Sequence, residues 1–376
     1  MTSNRKPPFR ADHVGSLLRP PELLALRDRW HAGEIDGDEL RERENEAIKA
    51  AVELQESVGL QAITDGEYRR ASFHIDFINK LNGVKFERMM PEGSEGKASK
   101  EDLEKAPFVA VVSDRLSLPE GGVEVENFRF LNGLTGRTPK ITIPSPTMTH
   151  FRGGREAISR EAYPDMEGFF SDLARVYREE LALLYEAGCR YVQIDDTNLA
   201  YLCDENMREG VRKLGEDPDE LPKTYAALIN DAIGGRPDDM AVCIHMCRGN
   251  AQSQWFASGG YEPIADKIFN LTDVDGFFLE YDDERSGDFA PLRFVPKGKA
   301  IVLGLVTTKR GELESRDELK RRVEEAASRM PMDQICLSPQ CGFSSNAVGN
   351  LVSVDDEVAK LRLVVETAEE FWPGGA

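Results

Sequence analysis

The sequence predicts a single (β/α)8 barrel of the TIM type, with an N-terminal helical extension and one insertion after the second strand. Three observations lead there: short apolar, β-branched runs alternate with longer amphipathic segments, eight such runs can be counted, and no G-x-G-x-x-G opens a helix. At 376 residues and 40% hydrophobic composition, the chain can bury a core of that size, and residues 1–376 are read as one catalytic barrel.

In chain order the strand candidates are 13–17, a weak run, then 62–67, 141–146, 191–196, 241–247, 276–283, 301–308 and 335–343. Helices are expected over 38–59, 166–188, 262–271, 315–330 and 355–372. In the first of these, Leu40, Ala47, Ala51 and Leu54 recur at helical spacing opposite charged residues. Ser315 followed by Glu318 has the spacing of a capping box, and Gly188 stands where a helix should stop. Residues 84–139 mix charge, Gly and Pro with short β-like pieces and read as the insertion. Its composition favours a mobile, solvated loop over a lid or dimer arm.

A formal charge of −20 disfavours nucleic acid and anionic membrane as partners. The N-terminus has no apolar signal region and no run reaches eighteen apolar residues, so a cytoplasmic protein is expected, in which six cysteines are thiols or metal ligands rather than a disulfide framework.

In such a barrel, chemistry gathers at the carboxyl ends of the strands. The fifth run ends in His245-Met246-Cys247, the sixth in Leu279-Glu280-Tyr281-Asp282-Asp283, and the eighth leads into Pro339-Gln340-Cys341-Gly342. Alternation puts His245 and Cys247 on one strand face, about 7 Å apart at roughly 3.3 Å per residue. Cys243 shares that face but lies about 13 Å from Cys247. That distance counts against the all-cysteine alternative of Cys243, Cys247, Cys336 and Cys341. Two sulfurs, a nitrogen and an oxygen suit Zn2+, and so electron-rich a shell suits a bound thiolate better than hydrolysis. Arg248 reads equally as an anion contact or as a salt bridge to the acidic loop after Glu280; Trp255 and Phe256 line the pocket or pack a helix.

H-M-C at 245–247, F-L-E at 278–280 and S-P-Q-C-G at 338–342 resemble, in that order, the zinc ligands of the cobalamin-independent methionine synthase family, in its C-terminal barrel. H-V-G-S at 13–16, D-G-E at 65–67, P-S-P-T-M at 144–148 and Q-I-D-D at 193–196 extend the resemblance over almost the whole chain. It implies a zinc-bound homocysteine thiolate that takes a methyl group from a folate nitrogen. His245, Cys247, Glu280 and Cys341 become the metal ligands, with Glu280 yielding to the substrate sulfur. Ser16, Glu67 and Asp195 match positions that hold the amino-acid end of homocysteine, and two carboxylates there suit an ammonium.

Two departures concern the methyl donor. Phe151 stands where the family stacks a tryptophan on the pterin, and Thr307-Thr308-Lys309 replaces a histidine that helps protonate the leaving nitrogen. Phe151 and Lys309 are therefore the donor-side candidates. The donor is methyl-tetrahydrofolate, with or without its polyglutamate tail, or another compound such as a methylated corrinoid carried by a partner protein. Alkyl transfer to a different thiol, as in epoxyalkane:coenzyme M transferases, and a non-catalytic zinc-binding barrel are the other readings. Glu67 and Asp195 favour an amino-acid thiol over a sulfonate.

Overall fold

The computed structural model describes residues 6–89 and 108–374. Its centre is a parallel sheet of six strands that neighbour one another in chain order: β5 (Ile141–Pro144), β6 (Tyr191–Asp196), β7 (Ala241–Met246), β8 (Gly276–Glu280), β9 (Ala300–Val306) and β10 (Ile335–Pro339). Every residue of these strands is buried, which explains why they read as near-continuous apolar runs.

The other two barrel positions are abbreviated. Thr138–Pro139 (β4) runs into β5 across Lys140 and pairs in parallel with Ala62–Ile63 (β1), while the first run, 13–17, forms no strand and Ala11 just ahead of it makes one parallel bridge to Leu337. Between that run and β1 the ladder is not continuous, so the eight positions follow the expected order without closing as a ring of strands. Gly15, Gly66 and Glu67 all have positive φ there, which breaks extended backbone. Single hydrogen bonds span the gap, from Leu17 N–H to Gly66 O at 3.1 Å and from the Thr64 hydroxyl to Gly15 O at 2.6 Å.

The helices start and stop for local reasons. The N-terminal extension is α1 (Pro21–His31) followed by α2 (Gly37–Val58); Asp36 caps α2 through the Glu39 N–H, and Gly59 ends it at φ 103°. The insertion carries α3 (Ile75–Ile78) just ahead of it and α4 (Val125–Asn132) within it. Helix α5 (Met166–Glu186) is capped by Asp165, and past its end Gly188 adopts φ 101° and donates to Tyr185 O. After β6 come α6 (Asn198–Tyr201), α7 (Glu205–Lys213) and α8 (Leu221–Ile233); α9 (Glu262–Leu271), α10 (Arg316–Ala327) and α11 (Val354–Phe371) complete the set. The capping box expected at Ser315 is not made: Ser315 precedes α10 without a side-chain cap bond, and Glu318 pairs with Arg321 instead. The box forms at α11, between Ser353 and Asp356.

Part of the 84–139 insertion is ordered structure, contrary to a loop reading. Asn82–Arg88 (β2) and Phe108–Ser117 (β3) pair antiparallel, with Val84 opposite Val112 and Phe86 opposite Ala110. These four side chains are buried in the same core as Phe169 and Tyr177 of α5, because the short β-like pieces alternate well enough to give one apolar face. The remainder of that expectation, residues 90–107, lies outside the described residues.

Strand alternation sorts the interior into layers. Outward-facing Ile194, Ile244, Phe277 and Leu303 join the main core beneath the helices, whereas Tyr191, Cys243, Phe278, Val302 and Cys336 form a separate apolar cluster with Phe9 and Val14. Among the described residues, no helix is long and apolar enough to cross a membrane.

One buried carboxyl ties α11 to the segment just past the first run: Glu357 accepts the Leu18 N–H at 2.8 Å, and burial pushes its pKa up to about 8. A carboxyl pKa raised on folding contributes stability that is full below the unfolded value and is lost as pH rises through the folded one. Glu357→Gln, which keeps an acceptor for Leu18, should therefore gain stability over wild type progressively from pH 4.5 to pH 8 in urea melts.

Candidate metal centre and substrate cleft

Above the apolar cluster, the inward faces of β6 and β7 place Asp195 beside His245 in register. His245 Nδ1 lies 3.1 Å from Asp195 Oδ1, which also accepts Gln193 Nε2 at 2.7 Å. With Nδ1 so committed, His245 Nε2 is buried and makes no hydrogen bond. One donor atom each of His245, Cys247 and Cys341 lie within 4.8 Å of one another, all three residues buried. An imidazole with one nitrogen anchored on a carboxylate and the other unpartnered beside two sulfurs fits a metal ion of the zinc type. The loop after β10 reaches this point because Gly342 packs onto Ser16; a Cβ there would sit 1.9 Å from the Ser16 hydroxyl.

The three groups also share protons. Cys247 as hydrogen-bond partner, with His245 and Lys309 nearby, holds the Cys341 thiol well below its usual range, and the same contact raises Cys247. Burial pushes the His245 imidazole down, but Asp195 and Cys341 outweigh it and carry its pKa to about 10.

Glu280, the fourth ligand expected, is not brought into the group of three. Its Oε2 accepts the Arg248 N–H at 2.6 Å, and its Oε1 takes Lys309 Nζ at 3.2 Å together with Arg285. Burial alone would raise this carboxyl; Lys309, Arg248 and Arg285 bring it down to about 2. The Arg248 guanidinium does neither job considered for it: fully buried, it bonds the carbonyls of Gly259 and Glu280 and stacks 4.3 Å from the Tyr261 ring centre. Lys309 spans Glu280 and Asp282 and does not line the cleft. Phe151 does not line it either; its ring packs behind Tyr201, at 6.1 Å between centres.

Ser16, Glu67 and Asp195 open on one cleft with His245, Cys247 and Cys341. Glu67 has φ 59°, a conformation rare for a side-chain-bearing residue, and Arg19 braces it by bonding its carbonyl at 2.9 Å. Its Oε1 accepts the Thr142 hydroxyl at 2.8 Å, while Oε2 is buried without a partner. Burial lifts this carboxyl to about 7, Asp195 adding to the rise and Arg70 opposing it. The neighbouring Asp196 is the structural carboxylate, accepting Thr147 Oγ1 at 2.6 Å and the Leu199 N–H at 2.8 Å.

Cys243 and Cys336 stay in the apolar cluster below, so the all-cysteine arrangement does not occur. Sequence reading missed His74, Arg152 and Tyr201, which line the cleft from loops and a short helix, where no periodicity marks a facing direction. The alternative that Phe256 lines the pocket is the one realised; Trp255 lies exposed under Arg285.

Replacing Asp195 by Asn removes the charge that orients His245. Metal affinity should fall by roughly 10–100-fold, the range for loss of a ligand's outer partner, as measured by competition with a chromophoric chelator.

The catalytic-domain profile of the cobalamin-independent synthase family matches residues 9–370. The chain is 46% identical to the YxjH protein of Bacillus subtilis over 372 residues, covering 98% of this chain and 96% of that one. It is 27% identical to a methionine synthase of Pyrococcus abyssi, covering 88% and 85%. A Listeria monocytogenes structure assigned to vitamin-B12-independent methionine synthase superposes with a TM-score of 0.78 at 37% identity, covering 98% and 99%.

Proposed function

The chain belongs to the cobalamin-independent methionine synthase family, whose catalytic domain it carries, and from that premise we propose that it is a zinc-dependent methyltransferase acting on the homocysteine thiol. The observation that carries this reading is the buried His245, Cys247 and Cys341 cluster, with an unpartnered imidazole nitrogen, opening on the same cleft as the unpartnered Glu67 carboxylate oxygen.

His245, Cys247 and Cys341 would hold the ion, and Zn2+ there would keep a substrate sulfur deprotonated at neutral pH, where a free thiol with a pKa of about 8.5 is mostly protonated. Glu280, held by Arg285 and Lys309, would be the carboxylate to supply a fourth ligand. Glu67 Oε2 receives the substrate ammonium, which also holds that carboxyl ionised. Asp195 adds negative charge on the same side while anchoring His245. The Ser16 hydroxyl, close against the loop of Cys341, donates to the substrate carboxylate. An amino-acid thiol fixed at both ends would have its sulfur directed to the His245, Cys247 and Cys341 group and would exclude water from the reacting face.

The test is to load the purified protein with Co2+ and titrate homocysteine. A one-to-one change in the visible spectrum, lost when Glu67 is changed to Ala but restored with a thiol lacking the amino group at higher concentration, supports the assignment. Binding with equal affinity to both thiols in wild type removes Glu67 and Asp195 from substrate recognition.

A further inference from the structure

The part of the cleft wall that a metal-seated amino-acid thiol leaves unused has its own chemistry. It includes the rings of Phe73, Tyr201 and Phe256, the imidazole of His74 and the guanidinium of Arg152. Resting on the reading of this site as a thiolate methyltransferase, we propose that the methyl donor is a small methylsulfonium compound, seated against Phe73, Tyr201 and Phe256, whose thioether departs without taking up a proton.

Charge is the first argument. Glu67, Asp195 and Asp196 line the cleft, and among the described lining residues Arg152 is the one Lys or Arg. The chain as a whole carries −20. A folate bearing a polyglutamate tail brings several negative charges into that field with one cation to meet them, whereas a sulfonium brings one positive charge. Arg152 lies beside the Tyr201 hydroxyl on the cleft wall and can take a donor carboxylate.

Aromatic rings are the second. Methylated cations are recognised by aromatic faces backed by carboxylates, and Phe256 stands 55% exposed at the cleft. Phe151, at the position where a pterin would be stacked, is packed away behind Tyr201.

The third is the leaving group. An amine displaced from a folate must be protonated, and a general acid works best with a pKa near the operating pH. Burial, with Arg152 beside it, pushes His74 down to about 3, so it is neutral and has no proton to give as an imidazolium. Lys309 is committed to Glu280 and Asp282, and Glu67 faces the substrate ammonium. A sulfonium avoids the requirement: the substrate sulfur attacks the methyl carbon, a new C–S bond forms, and the electron pair of the breaking C–S+ bond returns to the donor sulfur. The donor departs as a neutral thioether, and no proton or redox equivalent is exchanged in the step.

The zinc-loaded full chain is assayed for methionine from homocysteine with dimethylsulfoniopropionate, S-methylmethionine, methyl-tetrahydrofolate triglutamate and methylcobalamin. The expected result is a kcat/KM for one sulfonium at least 100-fold above those for the folate and the corrinoid, and in Phe256→Ala a rise in the sulfonium KM of about 2- to 30-fold without a change in the homocysteine KM. Phe256→Tyr restores the wild-type value. The proposal is overturned if the folate or methylcobalamin equals or exceeds both sulfoniums, or if Phe256→Ala leaves the sulfonium KM unchanged. Sulfonium turnover with other thiols but not homocysteine sinks the homocysteine assignment and leaves the donor class standing. No alkylation of any thiol by any donor overturns both.

Discussion

Cys341→Ser should purify folded yet hold less than a tenth of an equivalent of zinc, and methionine formation should fall by more than the roughly 10–100-fold typical of losing an outer-shell partner. Two features of Cys341 make its loss so damaging. It is the one member of the candidate metal group supplied by the loop after β10, and Cys247, His245 and Lys309 together hold its thiol well below the usual range. A serine hydroxyl in that setting stays protonated and is a poor partner for a borderline-soft ion. Metal analysis of protein purified without chelators, with a circular dichroism spectrum to show retained fold, reads the outcome. Full zinc occupancy in the mutant would remove Cys341 from the coordination shell.

The second large effect concerns stability. Lys140 and Asp12, both with no exposed side-chain surface, meet at 3.1 Å on the barrel floor. Lys140 also bonds His13 O and lies 4.3 Å from the Phe278 ring centre, and Tyr191 donates to Asp12 at 2.8 Å. Lys140→Met should destabilise the protein by about 3–5 kcal/mol, because the remaining carboxylate is buried without its counter-charge. Adding Asp12→Asn should recover much of that loss. Chemical denaturation of the two single variants and the double variant measures the coupling. Equal and additive losses would mean that the pair contributes little beyond its separate hydrogen bonds.

The strands that position the site could be read from the chain because the six strands of the sheet are buried on both faces, leaving a run of apolar residues with a polar end. His245, Cys247 and Cys341 were legible for that reason: each stands where an apolar run stops, and alternation orients the first two together. The ordered pairing of β2 with β3 was less visible, since a short half-buried strand interrupted by charge looks like a solvated loop until its partner is known. Sequence also had no means of assigning Phe151 to the core behind Tyr201, or of bringing His74 and Arg152 into the cleft, because loop residues carry no period that encodes direction.

By itself, then, the sequence determined the order of the barrel strands, the absence of a dinucleotide-binding turn and the donor atoms available at the strand ends, all of which depend on local pattern and residue chemistry. Only the tertiary structure decided which of those donors meet. It placed Cys243 and Cys336 in an apolar cluster apart from His245, Cys247 and Cys341, drew Glu280 onto Arg285 and Lys309, and gave Asp195 the task of orienting His245 as well as facing the cleft. Each of these turns on charges and side chains distant in the chain competing for one another across the barrel mouth, and pairwise competition of that kind leaves no trace in local periodicity.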